Sequence, residues 1–167
     1  MAKDHEGNTA LHLAAMRDRS EAVQFLMALR LRAIQMGTCE GTGMWPQNDQ
    51  LETPMHTAVR HGSVAALLAL FSVCGYEDMV NSSGWHGETP LHVACCYDRA
   101  DCAKILLDHG ADPLVASFSG MKPIHNAARR ASKKVLEFFL QSKIFSNYLS
   151  SVYLDNHSIN LQVRRYH

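Results

Sequence analysis

Gly87-Glu88-Thr89-Pro90-Leu91-His92-Val93-Ala94 is a stretch that recurs, in looser form, three more times in the chain. The copies read Gly7-Asn8-Thr9-Ala10-Leu11-His12-Leu13-Ala14, Leu51-Glu52-Thr53-Pro54-Met55-His56-Thr57-Ala58 and Gly120-Met121-Lys122-Pro123-Ile124-His125-Asn126-Ala127. Thr9 and Thr53 are 44 residues apart, Thr53 and Thr89 are 36, and Thr89 and Lys122, which occupies the threonine position, are 33. A motif that recurs at a spacing closing on 33 residues is typical of a repeat protein.

Each copy of the motif marks the start of a helix. Glycine allows the positive φ of a tight turn, threonine caps a helix with its hydroxyl, and proline suits the first helical position. Because the histidine recurs at the same place in every copy, we interpret it as structural, with ring nitrogens bonded to the threonine hydroxyl and the adjacent backbone. The residues assigned to this structural motif are Thr9, His12, Thr53, His56, Thr89, His92 and His125.

Four copies of most of T-P-L-H-x-A resemble the ankyrin repeat, and the resemblance covers residues 4–140. It implies an all-α solenoid of four helix-turn-helix units within an ankyrin-repeat domain at 1–140. The units lie at about 4–36, 48–83, 84–116 and 117–140, with an insertion at 37–47. A fifth copy is absent. The tail at 141–167 has apolar residues at helical spacing, which predicts a helix at about 143–154 that covers the last unit. We leave residues 158–167 unassigned.

Helical periodicity also predicts the inner faces of the second helices. In the first unit we expect Ser20 to be the N-cap, and the helix to continue through residues 28–36 before the glycine-rich segment 37–43 ends it. In the second unit Leu51 takes the place of the turn glycine, so we expect this turn to differ locally. The predicted inner-face residues are Ala22, Val23, Leu26, Leu29, Leu67, Leu68, Leu70, Phe71, Cys102, Ala103, Ile105, Leu106, Leu107, Val135, Leu136, Phe138, Phe139 and Leu140.

The composition is that of a soluble globular protein, with 47% hydrophobic and 19% charged residues and a formal net charge of zero. A balanced charge gives no indication of a nucleic-acid partner. Five cysteines without a C-x-x-C pair predict reduced thiols, and together with a polar N-terminus they predict a cytoplasmic protein. The most apolar run, residues 64–71, is too short to span a membrane, so no transmembrane segment is predicted.

No catalytic site, metal site or cofactor is predicted. His92 and Cys95 are helical neighbours, but the repeat register assigns Cys95 and Cys102 to the core, and neighbours on one helical turn cannot complete a zinc tetrahedron. The segment 37–43 lacks the Gly-Lys-Ser/Thr of a phosphate-binding loop. Of the thiols, we expect Cys96 and Cys39 to reach solvent, which makes these two the candidates for a reactive cysteine.

The resemblance also implies a binding surface. Proteins of this kind bind partners through the tips of the turns before each first helix and through the exposed ends of those helices, on one concave side. We expect the strongest contributions from Trp85, Tyr97 and Phe118, since large apolar side chains are costly to leave in water. Trp45, in the insertion, either anchors a partner or folds onto the stack. The predicted partner-binding residues are Trp85, His86, Glu88, Cys96, Tyr97, Phe118, Met121, Arg129, Arg130, Arg60, His61 and Trp45.

These features favour a non-enzymatic scaffold for protein–protein interaction. Residues 123–128, Pro-Ile-His-Asn-Ala-Ala, with Ser132-Lys133-Lys134 and Leu136-Glu137 beyond them, are similar to a repeat from the cytoplasmic ankyrin array of ankyrin-type (TRPA) transient receptor potential cation channels. That resemblance implies a fragment or isoform of such a cytoplasmic region. The alternative is a small soluble adaptor or inhibitor that binds one cytosolic protein on its concave face. A third interpretation is binding of anionic lipid or a phosphorylated partner by Arg129, Arg130, Lys133 and Lys134.

Overall fold

The computed structural model describes residues 2–37, 45–72 and 77–142, without the side chains of residues 77 and 78. Throughout these ranges the regular elements are helices, and the only bridge of β type is an isolated one between Lys3 and Thr9. The predicted all-α fold is therefore confirmed. The predicted covering helix at about 143–154 and Cys39 lie outside the described residues.

Eight of the nine α-helices in the described residues follow one another in pairs, and a short one, α5, lies between the second and third pairs. The nine helices are α1 (Ala10–Met16), α2 (Ser20–Gln35), α3 (Pro54–His61), α4 (Val64–Phe71), α5 (Glu77–Val80), α6 (Pro90–Cys96), α7 (Ala100–Asp108), α8 (Pro123–Arg130) and α9 (Lys133–Gln141). We call α1–α2, α3–α4, α6–α7 and α8–α9 pairs 1 to 4. The first helices pack in the order α1, α3, α6, α8 and the second helices in the order α2, α4, α7, α9, so that each pair lies against the next.

One position of the turn before each first helix has the same backbone conformation, although the turn of pair 3 also has His86 at a φ of 58° within a short 3₁₀ helix, Trp85–Gly87. The residue two positions before the threonine has a positive φ in every copy: 75° at Gly7, 56° at Leu51, 74° at Gly87 and 76° at Gly120. The prediction that the turn at Leu51 differs locally is therefore wrong. At Leu51 this conformation, which costs a non-glycine residue free energy, is accompanied by bonds within the turn: Leu51 N–H donates to the Asn48 carbonyl oxygen at 2.9 Å, and Asn48 Oδ1 accepts the Gln50 and Glu52 N–H groups at 3.0 and 2.9 Å.

A second left-handed residue separates the two helices of each pair. It is Asp18, Gly62, Asp98 or Ala131, with φ between 53° and 72°. Where it is aspartate, its carboxylate also reaches the next pair: Ala66 N–H donates to Asp18 Oδ1 at 2.8 Å and Val135 N–H to Asp98 Oδ1 at 3.0 Å. Gly62 has no side chain that can make the corresponding bond between pairs 2 and 3.

The core lies between the pairs, and it is formed by residues that occupy the same position in each repeat. Leu11, Met55 and Leu91 are fully buried in one continuous cluster, and Ala58, Ala94 and Ala127 are small residues with no exposure. A small residue at this position lets neighbouring helices approach closely. The register that was read from the sequence therefore places equivalent residues in equivalent surroundings.

Several details of the predicted inner faces are wrong. The helix α2 begins at Ser20, and its N-cap is Arg19. Leu68 is exposed because it lies in register with Gln24, Lys104 and Glu137, on the face of the second helices that points to solvent. Ala22, Leu29 and Leu140 are also exposed. They belong to the two ends of the stack, where a neighbouring pair does not cover them.

The described part of the insertion folds onto the stack. Trp45 is half-buried and packs against the main core cluster, and the Arg30 guanidinium carbon lies 5.0 Å from the centre of its ring. Of the two roles expected for Trp45, this packing matches that of a cover, and its role in partner binding stays a prediction. The segment 38–44 lies outside the described residues.

Candidate functional site

The candidate binding surface is formed by the turn tips and the ends of the first helices, and we call it the tip face. Its central feature is a groove of about 330 Å³ between pairs 2 and 3. The groove is lined by Asp49, Gln50, Glu52, His56, Arg60, Trp85, Glu88 and Val93. Three of the predicted partner-binding residues, Arg60, Trp85 and Glu88, thus lie around one depression.

Aromatic side chains are exposed along the tip face on consecutive pairs. Trp85 stands beside His86 with its ring at 82° to the imidazole and a centroid distance of 5.2 Å. Phe118 is the most exposed large apolar residue of the described chain, and its backbone N–H donates to the His86 carbonyl oxygen at 2.9 Å. A Cβ atom placed on Gly87 would lie 2.6 Å from the Phe118 ring, so the glycine allows the two tips to touch.

Arg60 connects two parts of the tip face. Its guanidinium forms an ion pair with the buried carboxylate of Glu52 and lies over the exposed Tyr97 ring, 5.3 Å from the centroid. A guanidinium held by both a carboxylate and an aromatic ring is fixed in orientation before any partner arrives. Its Nε is buried and has no hydrogen-bond partner among the described residues.

A second polar series lies between pairs 3 and 4. The buried Asn126 side-chain amide donates to Glu88 Oε1 at 2.8 Å, and Arg129 donates to Asn126 Oδ1 at 3.4 Å. Asn126 was not predicted as a site residue. The signal was present in the sequence, since Asn126 is in register with Thr57 and Val93, and an amide at a position that is buried in the two preceding pairs must find partners.

The remaining predicted residues are distributed along the same face. His61 and Arg130 are exposed at the ends of α3 and α8, and Met121 is half-buried. Burial and the nearby Arg60 lower the pKa of His61 below its ordinary value. Cys96 is half-buried at the end of α6, whereas Cys95 and Cys102 are buried. Burial raises the pKa of Cys102 to about 11 and that of Cys95 further still, which leaves both thiols protonated at neutral pH.

Behind the tip face, the threonine–histidine motif connects successive pairs. The backbone N–H of Thr9 donates to His12 Nδ1 at 3.2 Å, and the threonine hydroxyl lies 2.8 Å from the same nitrogen. Because Nδ1 accepts the backbone proton, Nε2 carries the ring proton and donates to the next pair. The acceptors are the carbonyl oxygens of Glu52 for His12 (2.8 Å), Glu88 for His56 (3.0 Å) and Met121 for His92 (2.9 Å).

These contacts confirm the structural interpretation of the histidines and add the bond to the neighbouring pair, which was not predicted. Burial lowers the pKa of His56 to about 4 and lowers the pKa values of His12 and His92. The neutral ring is the form that fits, since its Nδ1 must keep a lone pair. His125 accepts the Lys122 N–H at 2.9 Å in the same way.

The comparison with known families agrees with this geometry. A family model described as ankyrin repeats (3 copies) matches residues 1–81, 38–116 and 65–150 of the chain. The chain belongs to the ankyrin-repeat family. This family is built from interaction modules that are in general not enzymes, which agrees with a site made of exposed aromatic and arginine side chains.

Known proteins similar to this chain include a cation channel from two organisms and inversin. Human transient receptor potential cation channel subfamily A member 1 is 30% identical over 138 residues, which cover 83% of this chain and 11% of the channel. Its namesake from Drosophila melanogaster is 43% identical over 63 residues, 37% of this chain and 5% of that protein. Mouse inversin is 31% identical over 128 residues, 75% of this chain and 11% of inversin. The chain thus spans about a tenth or less of the length of these relatives. In its described part, no helix is both long and apolar enough to cross a bilayer.

Proposed function

We propose that this ankyrin-repeat chain is a non-enzymatic scaffold that holds a protein partner on its tip face. The observation that supports this most is the exposure of Trp85, Tyr97 and Phe118 on consecutive turns and helix ends, beside the fixed guanidinium of Arg60. Aromatic and arginine side chains supply most of the binding free energy in protein interfaces, and exposed rings are costly to keep in water. In this proposal residues 1–140 form the binding domain and residues 141–167 a tail.

The charges of the groove indicate which kind of side chain on the partner would bind there. Arg60 neutralises Glu52, and burial keeps His56 neutral, so the unbalanced charges of the lining are the carboxylates of Asp49 and Glu88. One oxygen of Glu88 already accepts the Asn126 amide. We expect the partner to place a hydrogen-bond donor or a cationic side chain against Trp85, where the ring and the carboxylates both favour it.

The test is a comparison of partners captured by the wild-type chain and by a Trp85→Ala, Tyr97→Ala double variant. We expect the captured amount of any protein that binds the tip face to fall at least tenfold in the double variant. Loss of one hot-spot residue costs about 2 kcal/mol or more of binding free energy. Leu68→Ala is the matched control, since Leu68 is exposed on the opposite side of the second helices. An identical set of bound proteins for all three chains would show that the tip face is not the binding surface.

A finer proposal is that the chain is a fragment or isoform of the cytoplasmic region of a TRPA-type cation channel, which would place it on the cytosolic side of a membrane. The similarity to the human channel over 83% of the chain supports it. The alternative is a small soluble cytosolic adaptor or inhibitor with one protein partner. The full-length transcript distinguishes them: further repeats and several membrane-spanning stretches beyond His167 favour the channel, and an open reading frame that stops there favours the adaptor.

Binding of anionic lipid by the basic residues of pair 4 has weaker support. Arg129 is engaged with Asn126, and Lys133 lies 3.8 Å from Glu137, so two of the four cations have partners within the chain. Sedimentation with vesicles that contain phosphatidylserine tests this function. Binding that weakens steeply with added salt would support it, and no binding at low salt would exclude it.

A further inference from the structure

The turn tips of neighbouring pairs are joined by a backbone hydrogen bond at two of the three junctions. Between pairs 1 and 2, Asp49 N–H donates to the Glu6 carbonyl oxygen at 3.1 Å. Between pairs 3 and 4, Phe118 N–H donates to the His86 carbonyl oxygen at 2.9 Å. The donors occupy one position of the repeat and the acceptors another, so the bond belongs to the repeat and should recur at the third junction.

The corresponding bond is missing between pairs 2 and 3. By register it would join Trp85 N–H to the Gln50 carbonyl oxygen, but within the described residues the first group has no acceptor and the second has no donor. The tip of pair 3 is nevertheless intact, with Gly84 N–H bonded to the Glu88 carbonyl oxygen at 2.8 Å and Gly87 N–H to that of Gly84 at 3.0 Å. What differs at this junction is the placement of one tip against the other.

The side chain at position 51 accounts for this difference. A Cβ atom placed on Gly7 would lie 2.7 Å from the Asp49 backbone nitrogen, and one placed on Gly87 would lie 2.6 Å from the Phe118 ring, although Cβ atoms in proteins keep at least 3.0 Å from such neighbours. The two closed junctions therefore need glycine at this position. Leu51 has a Cβ atom there, which excludes an equally close approach of the tip of pair 3, and α3 also packs less closely on α6 than on α1.

We propose that the opened junction between pairs 2 and 3 binds an extended segment of the protein partner, one peptide group of which completes the missing bond. This inference rests on the proposed function and names the part of the tip face that takes the partner. A trans peptide group carries its C=O and its N–H on opposite sides. Its oxygen can therefore accept Trp85 N–H while its N–H donates to the Gln50 carbonyl oxygen, and in an extended segment both groups are free to do so.

The groove at the same junction determines which side chain accompanies that peptide group. Both Gln50 and Trp85 line it, so a segment bonded to their backbones places its neighbouring side chain inside. Arg60 already neutralises Glu52, which leaves the carboxylates of Asp49 and Glu88 unbalanced beside the exposed Trp85 ring. The segment therefore carries a lysine or arginine next to the bridging peptide group.

Amide hydrogen exchange of the full chain tests the role of Leu51 without a partner. In the wild type, Trp85 N–H should be at least tenfold less protected than the bonded Asp49 N–H. Leu51→Gly should raise the protection of Trp85 by letting the tips close, whereas Leu51→Ala, which keeps the Cβ atom, should not. Gly7→Ala should make the opposite change at the first junction and expose Asp49 N–H. A Trp85 N–H that stays unprotected in Leu51→Gly would overturn the inference.

Random peptides of about twelve residues, displayed on phage and selected on the wild-type chain, are the binding probe. Those that lose affinity for the Trp85→Ala, Tyr97→Ala double variant bind the tip face. We expect them to bind Leu51→Gly at least tenfold more weakly than the wild type, and Leu51→Ala as tightly as the wild type. Methylation of one backbone nitrogen of such a peptide, the one that donates to Gln50, should cause a similar loss.

The outcomes separate this inference from the function on which it rests. Tip-face peptides that bind Leu51→Gly as tightly as the wild type, or that tolerate methylation at every nitrogen, would overturn the bridging peptide group and leave the scaffold function intact. If no selected peptide were sensitive to the double variant, the tip face would not be the binding surface, and both proposals would be wrong.

Discussion

The tip face and the junctions that join one pair to the next are built from neighbouring residues of the same turns. The junctions use positions that repeat from copy to copy, and the tip face uses positions that vary. Thr89 and His92 belong to a junction, are fully buried and have counterparts in the other copies. Trp85, four residues before Thr89, lies on the tip face, and its counterparts in the other copies are different residues, His5, Asp49 and Phe118. Repeated positions therefore hold the stack together, and positions that change from copy to copy give each part of the tip face its own chemistry.

The largest effect expected from this difference is that of Leu91→Ala, at a junction. Leu91 is fully buried between pairs, and removal of its side chain should lower the free energy of unfolding by about 2–5 kcal/mol. Urea unfolding measures the change. Leu68→Ala makes the same substitution at an exposed position and should change stability by less than about 0.5 kcal/mol. Equal losses in the two variants would remove the distinction between junction and surface.

Acid should weaken the junctions next. In the unfolded chain histidine binds a proton near pH 6.5, but in the folded chain the pKa of His56 is about 4 and those of His12 and His92 are also lowered. The unfolded state therefore takes up more protons below pH 6.5, and stability, complete above that pH, falls as the pH decreases toward 4. Each neutral histidine contributes up to about 1.4 kcal/mol per pH unit.

Urea midpoints at pH 7, 6 and 5 test this dependence. His56→Gln serves as the control, because it removes one of the titrating groups and should make the pH dependence shallower whatever its effect on stability at pH 7. A urea midpoint that stays constant from pH 7 to pH 5 would show that the histidines accept protons without loss of their bonds to the next pair.

A smaller effect of opposite sign is expected at the turns. Leu51→Gly should stabilise the chain by about 1 kcal/mol or less, because Leu51 has a φ of 56° that glycine adopts freely. Gly87→Ala should destabilise it, since Gly87 has a φ of 74° and an added Cβ would meet the Phe118 ring. Thermal unfolding of both variants tests whether residues 51 and 87 share the left-handed conformation. A loss of stability in Leu51→Gly would contradict it.

The smallest change in stability is expected for Trp85→Ala, on the tip face. Trp85 is more than half exposed, so its removal should alter the free energy of unfolding by about 0.5 kcal/mol or less. The same variant should lose affinity for a protein held in the groove. A large loss of stability in Trp85→Ala would mean that the ring packs in the junction between pairs 2 and 3 and is not available to bind a partner.

The repeat register could be predicted from the sequence because the residues that define it act locally. Thr53-Pro54 starts a helix through its own backbone geometry, and His56 caps the same helix from three residues away. The same register placed Trp85 and Arg60 on one surface. These features depend on spacing along the chain, and a motif that recurs four times makes the spacing unambiguous.

Other features depend on contacts between distant residues. The bond from His12 to the Glu52 carbonyl oxygen joins residues 40 positions apart. Neither the exposure of Leu140 nor the ion pair of Arg60 with Glu52 follows from periodicity, since the first depends on what lies beyond the last pair and the second on how two elements face each other.

The glycine at position 62 sets the middle of the stack apart from its two halves. The carboxylates of Asp18 and Asp98 tie pair 1 to pair 2 and pair 3 to pair 4, while pairs 2 and 3 have instead the exposed bond from Arg99 Nε to the Arg60 carbonyl oxygen, at 3.2 Å. We therefore expect the array to open first at the junction between pairs 2 and 3, with faster amide exchange at Cys102 than at Ala66 or Val135. The groove lies across that junction, so a molecule bound there would hold pairs 2 and 3 together.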